Sequence, residues 1–143
     1  MKIVDISAYE VLASGGFPTI EAQVVLDSGA AGIASVPYGA SAGSHEASVL
    51  MDDEKKRYMG KGMLIPVANI NDKIRPMLIG KDAADQRMID QTMIDSDGTP
   101  QKTTLGGNAI LAVSVATARA AAAEKKVPLY KHLAETFSTG VDF

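Results

Sequence analysis

Residues 2–12, KIVDISAYEVL, set the β-branched Ile3, Ile6 and Val11 among polar neighbours in an imperfect alternation, which predicts a strand. Gly15 and Gly16 in the following ASGGFPT supply a turn. From Ile20 to Gly29 the alternation is regular. Ile20, Ala22, Val24 and Leu26 lie on one side, Glu21, Gln23, Val25 and Asp27 on the other, as in a half-buried second strand. After the turn DSGA, AGIASVP reads as a third strand, ended by Pro37, which has no N–H for a ladder bond. The pattern predicts an antiparallel meander whose Glu10, Glu21 and Asp27 sit on a solvated face.

Beyond Pro37 the period becomes helical. SHEASVLMD reads as a short helix capped by Ser44, with Glu46 in its first turn. In GKGMLIPVANINDKIRPMLIGKD, Leu64, Val67, Ile70, Ile74 and Leu78 recur at steps of three and four on one helical face. Pro66 fits its first turn, and Pro76 is expected to bend or fray its end. DAADQRMIDQTMIDSDGT groups Met88, Thr92 and Met93 and stops at Gly98. NAILAVSVATARAAAAEKKVPLYKHLA carries the strongest helical signal: Ala-rich, apolar nearly all round, with Asn108 as cap and Lys125, Lys126 and Pro128 at its close. The tail ETFSTGVDF has no period. Strands first and helices after predict an α+β fold, a three-stranded antiparallel meander with about four helices packed on one face.

Composition narrows the function classes. The 143 residues suit one domain, and their 46% hydrophobic content is enough for a core. No cysteine is present, which leaves no disulfide framework and no thiolate zinc site and fits a reducing compartment. A net charge of −3 without a basic block argues against a nucleic-acid partner. The absence of a long apolar run and of a signal-like start argues against a membrane role and for a cytoplasmic protein. Aromatics at 5% with no Trp offer no stacking platform.

One stretch resists a packing explanation. VPYGASAGSHEA, residues 36–47, is small, polar and flexible between two patterned segments. It carries a hydroxyl at Ser41 and an adjacent His45 and Glu46. Sequence neighbours point apart on a helix or strand, so that pair reads as a helix start rather than a catalytic dyad. His132, beside Tyr130, reads as a packing residue or a charge at a helix end. The methionines read as core filler.

Several stretches in order, GASAGSHEA at 39–47, GKG at 60–62, VANIND at 67–72, DG at 97–98 and LGGNAILAVSVATARAAAAEKKVPLYKHLA at 105–134, resemble the N-terminal domain of enolase, the phosphopyruvate hydratase of glycolysis. The resemblance runs from about Ile3 to Ala134. It implies a capping domain over residues 1–134, and a tail over 135–143 that leads toward a catalytic α/β barrel absent from this sequence. It implies dehydration of 2-phosphoglycerate to phosphoenolpyruvate by a cytoplasmic, Mg²⁺-dependent lyase that is a homo-oligomer, a dimer or an octamer. No catalytic residue is then expected in these 143 residues, and the chain alone should be inactive. What the domain brings is a mobile lid, Tyr38, Gly39, Ala40, Ser41, Ala42, Gly43, Ser44 and His45. Ser41 stands where the family's serine reaches the second Mg²⁺. Gly39 and Gly43 suit hinges, and a hydroxyl or carbonyl oxygen suits a hard divalent ion. Glu21 stands where the sheet meets the partner subunit and is expected to pair with a partner arginine.

Two segments depart from the family pattern. Ala13, Gly15 and Phe17 replace the usual Asp, Arg and Asn. Tyr38 and Ala42 replace the usual serine and threonine of the lid. These changes motivate a second reading, an enolase-like paralogue with a structural or binding role and no enolase activity. A third, the capping domain of a racemase or lactonising enzyme, fits the long 105–134 match poorly. The sequence downstream of Phe143 is expected to separate the three readings: it either contains the barrel's base and metal carboxylates or does not.

Overall fold

A computed structural model describes residues 1–36, 43–138 and 140. Three strands, β1 (Ile3–Leu12), β2 (Pro18–Leu26) and β3 (Ala31–Ser35), form an antiparallel sheet in sequential order. The alternation predicted for β2 holds: Ile20, Ala22, Val24 and Leu26 are buried, and Glu21, Gln23 and Val25 are half-exposed. Ile3 and Ile6 are three apart yet both fully buried, because a register shift between Ile3 and Asp5 resets the pleat.

The helices cover one face. α1 (Leu64–Ala68) runs into a π-helical stretch, Asn69–Ile74, and on into α2 (Arg75–Leu78). Its inward face is Ile70, Ile74 and Leu78; Leu64 is exposed and Val67 only partly buried, so the predicted stripe begins a turn later. Pro76 neither frays nor ends this segment. It falls in the first turn of α2, and the wide turn before it, with Arg75 N–H donating to the Ile70 carbonyl, makes room for the ring. α3 (Gln86–Asp97) ends at Gly98 as predicted, with φ 69°. It buries Gln86, Ile89, Met93 and Asp97, while Met88 and Thr92 lie at the edge.

α4 (Gly107–Glu124) is the central helix, and α5 (Leu129–Phe137) follows Pro128. Ala112, Ala116 and Ala120 of α4 are fully buried, small enough for the helix to lie directly on the sheet. α5 carries the helix through Phe137, into the tail that shows no period. Its His132 is fully buried, with neither ring nitrogen bonded, so packing describes it and a helix-end charge does not.

Two further sequence expectations fail. The segment 44–52 forms no helix: Ser44 and His45 make a turn and the rest is extended or irregular. Its backbone groups bond the loop before α4 and the first residue of α4: Ser48 N–H to the Gln101 carbonyl, Gly107 N–H to the Ser48 carbonyl. Asn108 also does not cap. Gly106 holds the N-cap at φ 99°, and the Asn108 side chain reaches sideways to Leu50.

Candidate functional site: the anchors of the 37–42 loop

The five lid positions Tyr38, Gly39, Ala40, Ser41 and Ala42 lie outside the described residues, and so does Pro37. The segments that carry the loop are described on both sides. On the upstream side Val36 is pinned to the sheet. Its N–H donates to the Ile20 carbonyl at 2.9 Å, and the Thr19 hydroxyl donates to its carbonyl. On the downstream side Gly43, Ser44 and His45 are exposed. Gly43 and Glu46 close a small turn, with Gly43 N–H donating to Glu46 Oε2 at 2.7 Å and Glu46 N–H to the Gly43 carbonyl at 3.2 Å. His45 and Glu46 form no dyad: the carboxylate is spent on this turn.

The chain then docks on α4. Ser48 N–H meets the Gln101 carbonyl at 2.7 Å, Gly107 N–H meets the Ser48 carbonyl at 2.8 Å, and Asn108 clasps both polar groups of Leu50 at 3.1 and 3.0 Å. The two glycines of LGGN make the approach feasible. A Cβ on Gly107 would lie 2.8 Å from that of Ala47, and one on Gly106 2.8 Å from that of Leu50. Asn71 of the π-helical stretch does for β1 what Asn108 does for Leu50, bonding both the N–H and the carbonyl of Ala8. Asn69 donates to the carbonyls of Thr104 and Leu105. The asparagines of VANIND and LGGN are therefore staples between backbone segments.

A charged cluster lies behind the downstream segment. Glu10 sits on the same pleat as Ile6 and Ala8, so it points under the helices and not to the solvated face expected of it. Arg57 bonds Glu10 through both terminal nitrogens and approaches Asp52 Oδ2 at 3.3 Å. Glu10 Oε2 also accepts from Met63 N–H at 2.6 Å, and Asp52 Oδ1 from Ile65 N–H at 2.7 Å. The Arg57 bond, with help from Met63 N–H and against the effect of burial, holds the Glu10 carboxyl below its ordinary range. The same pairing raises Arg57 further and keeps it charged. Gly62 leaves room for the cluster, since a Cβ there would meet Asp52 Oδ2 and Arg57 Nη1.

Beside Val36 opens a groove of about 800 Å³, lined by the 13–15 turn, Phe17, Thr19, Glu21, Ser35 and Lys61. Phe17, which replaces a polar residue of the family pattern, lies under Lys61, whose Nζ is 4.2 Å from the ring centroid. A Cβ at Gly15 would meet nothing within 4 Å. Glu21 stands on the outer pleat opposite Ser35, whose hydroxyl donates to it at 2.6 Å. Glu21 and the upstream anchor Val36 thus line the same groove. Glu10 shares a strand with this region but serves the interior.

Compared with known families, the sequence matches the model of "Enolase, N-terminal domain" over residues 3–133. The chain belongs to that family. Enolases are lyases that use Mg²⁺ in general, and this domain's fold, a meander followed by helices, is the family's. Among the described residues no group of three or more His, Asp or Glu side chains is placed to hold a metal ion. The Glu10 and Asp52 carboxylates are both engaged by Arg57. No helix of the described residues is long and apolar enough to cross a membrane.

Sequence reasoning gave no role to Arg57, Asp52, Asp97, Asn69 or Asn71, and took Glu10 for a solvated residue and Asn108 for a cap. Parity along β1 would have exposed Glu10, which is two and four residues from buried Ala8 and Ile6. Nothing local marks Arg57 as its partner, 47 residues away.

Proposed function

We infer that this domain serves an enolase that dehydrates 2-phosphoglycerate to phosphoenolpyruvate in the cytoplasm. The observation that carries the reading is the ordered family match over residues 3–133, with firmly bonded segments on both sides of residues 37–42. In that reaction a base removes the proton from the carbon beside the carboxylate, and hydroxide then leaves from the neighbouring carbon. The base and the carboxylates that hold Mg²⁺ belong to a barrel toward which residues 135–143 lead. When bound, Mg²⁺ stabilises the negative charge that builds on the substrate carboxylate.

This chain's own contribution is exclusion of water and completion of the site. Residues 38–45 close over the substrate, and Ser41 supplies one oxygen ligand on closure. The Val36 anchor and the Ser48–Leu50 anchor support this reading, because a loop moves reproducibly only between fixed ends. Glu21, in the groove beside Val36, pairs with an arginine of the partner in a homo-oligomer.

The test is turnover of 2-phosphoglycerate by the full-length protein with Mg²⁺, followed by the absorbance of the enol product. Steady dehydration is expected. A folded full-length protein that releases no phosphoenolpyruvate at any Mg²⁺ concentration removes the reading and favours a binding role.

A further inference from the structure

Asn108 is where three separate pieces of the domain meet. It stands in the first turn of α4 and is 6% exposed, yet its amide bonds nothing in its own helix. Oδ1 accepts from Leu50 N–H at 3.1 Å. Nδ2 donates to the Leu50 carbonyl at 3.0 Å and lies 3.5 Å from Met63 Sδ, at the entry to α1. We propose that Asn108 is a positioning residue for the dehydration, fixing the segment from which the downstream end of the 38–45 loop departs. The inference rests on the enolase reading above.

The bonding pattern of the segment carries the argument. Ser48 and Leu50 each have both backbone groups engaged, Ser48 by Gln101 and Gly107, Leu50 by Asn108. Alternate residues are thus docked as in a strand, but onto the start of a buried helix. Toward the loop this ends abruptly: Gly43 to Glu46 are exposed and bonded mainly to one another. Leu50 is the innermost clasped residue, and its clasp is the only one made by a side chain. An apolar residue at 108 would pack as well on α4 but would leave two backbone groups of Leu50 without their partner. The amide is there for the segment it holds, and that segment carries the loop.

The experiment compares Asn108→Ala and Asn108→Asp with the parent in the full-length protein. Steady-state kinetics, a thermal melt and amide exchange at Ala47–Leu50 are measured on each. Asp keeps the size and one acceptor for Leu50 N–H but loses the donor, so it carries the test if the Ala variant fails to fold. The expected result is a fall in kcat of about tenfold or more for Ala, with a smaller fall for Asp. KM should stay within about threefold, and faster exchange should be confined to the 47–50 amides. Variants that lose thermal stability yet turn over like the parent per folded molecule overturn the proposal, because Asn108 is then a staple and nothing more. A parent without turnover is a different outcome: it removes the enolase reading, and this inference falls with it.

Discussion

Gly32 of β3 lies against Ala116 of α4 backbone to backbone. A Cβ on Gly32 would come within 2.9 Å of the Arg119 carbonyl carbon, and closer still to the Ala116 oxygen and the Ala120 nitrogen. Sheet and central helix meet there with no side chain between them, and the fully buried alanines 112, 116 and 120 keep the rest of the contact equally shallow.

Gly32→Ala should therefore cost about 3 kcal/mol or more, the upper end of overpacking penalties, because rigid backbone on both sides cannot yield. Gly15→Ala, where a Cβ meets nothing within 4 Å, should stay within about 0.5 kcal/mol of the parent. Urea unfolding of both variants of residues 1–143 decides it. Equal midpoints would mean that α4 does not rest on β3 as described.

Asp97 caps the loop that leads into α4. It accepts from the backbone N–H groups of Thr99, Thr104 and Leu105 and from the Thr99 hydroxyl. Burial acts to raise its carboxyl, but those donors, Leu105 foremost, outweigh it and hold it low. Asp97→Ala should cost roughly 2–3 kcal/mol at neutral pH, since it strands buried donors. Both Asp97 and Glu10 titrate lower folded than unfolded, so the stability they bring is present above about pH 5 and is lost as pH falls through their folded values. The gap in unfolding midpoint between parent and Asp97→Ala, or parent and Glu10→Gln, should narrow steadily on acidification to pH 3. A gap that holds constant would count against these pairings.

His132 works in the same direction for the opposite reason. Burial, then the charge of Lys125, lowers its pKa, and Glu135 only partly offsets them. The folded state thus binds fewer protons than the unfolded one. The stability from burying neutral His132 is full above its ordinary value of about 6.5 and declines as pH falls below it. Replacement by Leu should flatten the stability profile between about pH 7 and pH 5. Titration of the imidazole by NMR should place its midpoint below that of a free histidine. A midpoint at or above the free value would show the ring to be solvated or paired.

Ser41 separates a lid from a connecting loop. In the full-length protein Ser41→Ala should lower kcat by roughly 30- to 1,000-fold, corresponding to about 2–4 kcal/mol of transition-state stabilisation. The melt should move little, since a loop serine rarely contributes more than about 0.5 kcal/mol. Residues 1–143 alone should neither turn over 2-phosphoglycerate nor show a saturable Mg²⁺ site in calorimetry tighter than about millimolar, because one hydroxyl falls far short of an octahedral shell. Parent-like turnover by Ser41→Ala would make VPYGASAGSHEA a plain connection. Turnover by the purified domain would place a base within it.

The fold was legible where local chemistry and burial agree. Period-two alternation marked the β2 face, the glycine-bounded turns marked the meander, and alanine content with Pro128 marked α4 and its end. These signals depend on residues a few positions apart, so the sequence alone determined them, and the ordered motifs carried the family. The exceptions each involve a partner far along the chain. SHEASVLMD has a helix's cap and charge but spends its backbone on α4, because Gly106 and Gly107 let it come close enough to bond there. Asn108 looks like a cap and is a clasp, because Leu50, 58 residues away, arrives at its amide. Glu10 looks like surface and is interior, because it shares the pleat of Ile6 and Ala8, and because Arg57, 47 residues away, brings a counter-charge under the helices. Whether a polar group serves its own segment or a distant one depends on which backbone reaches it first in the folded chain. Only the tertiary structure decides that.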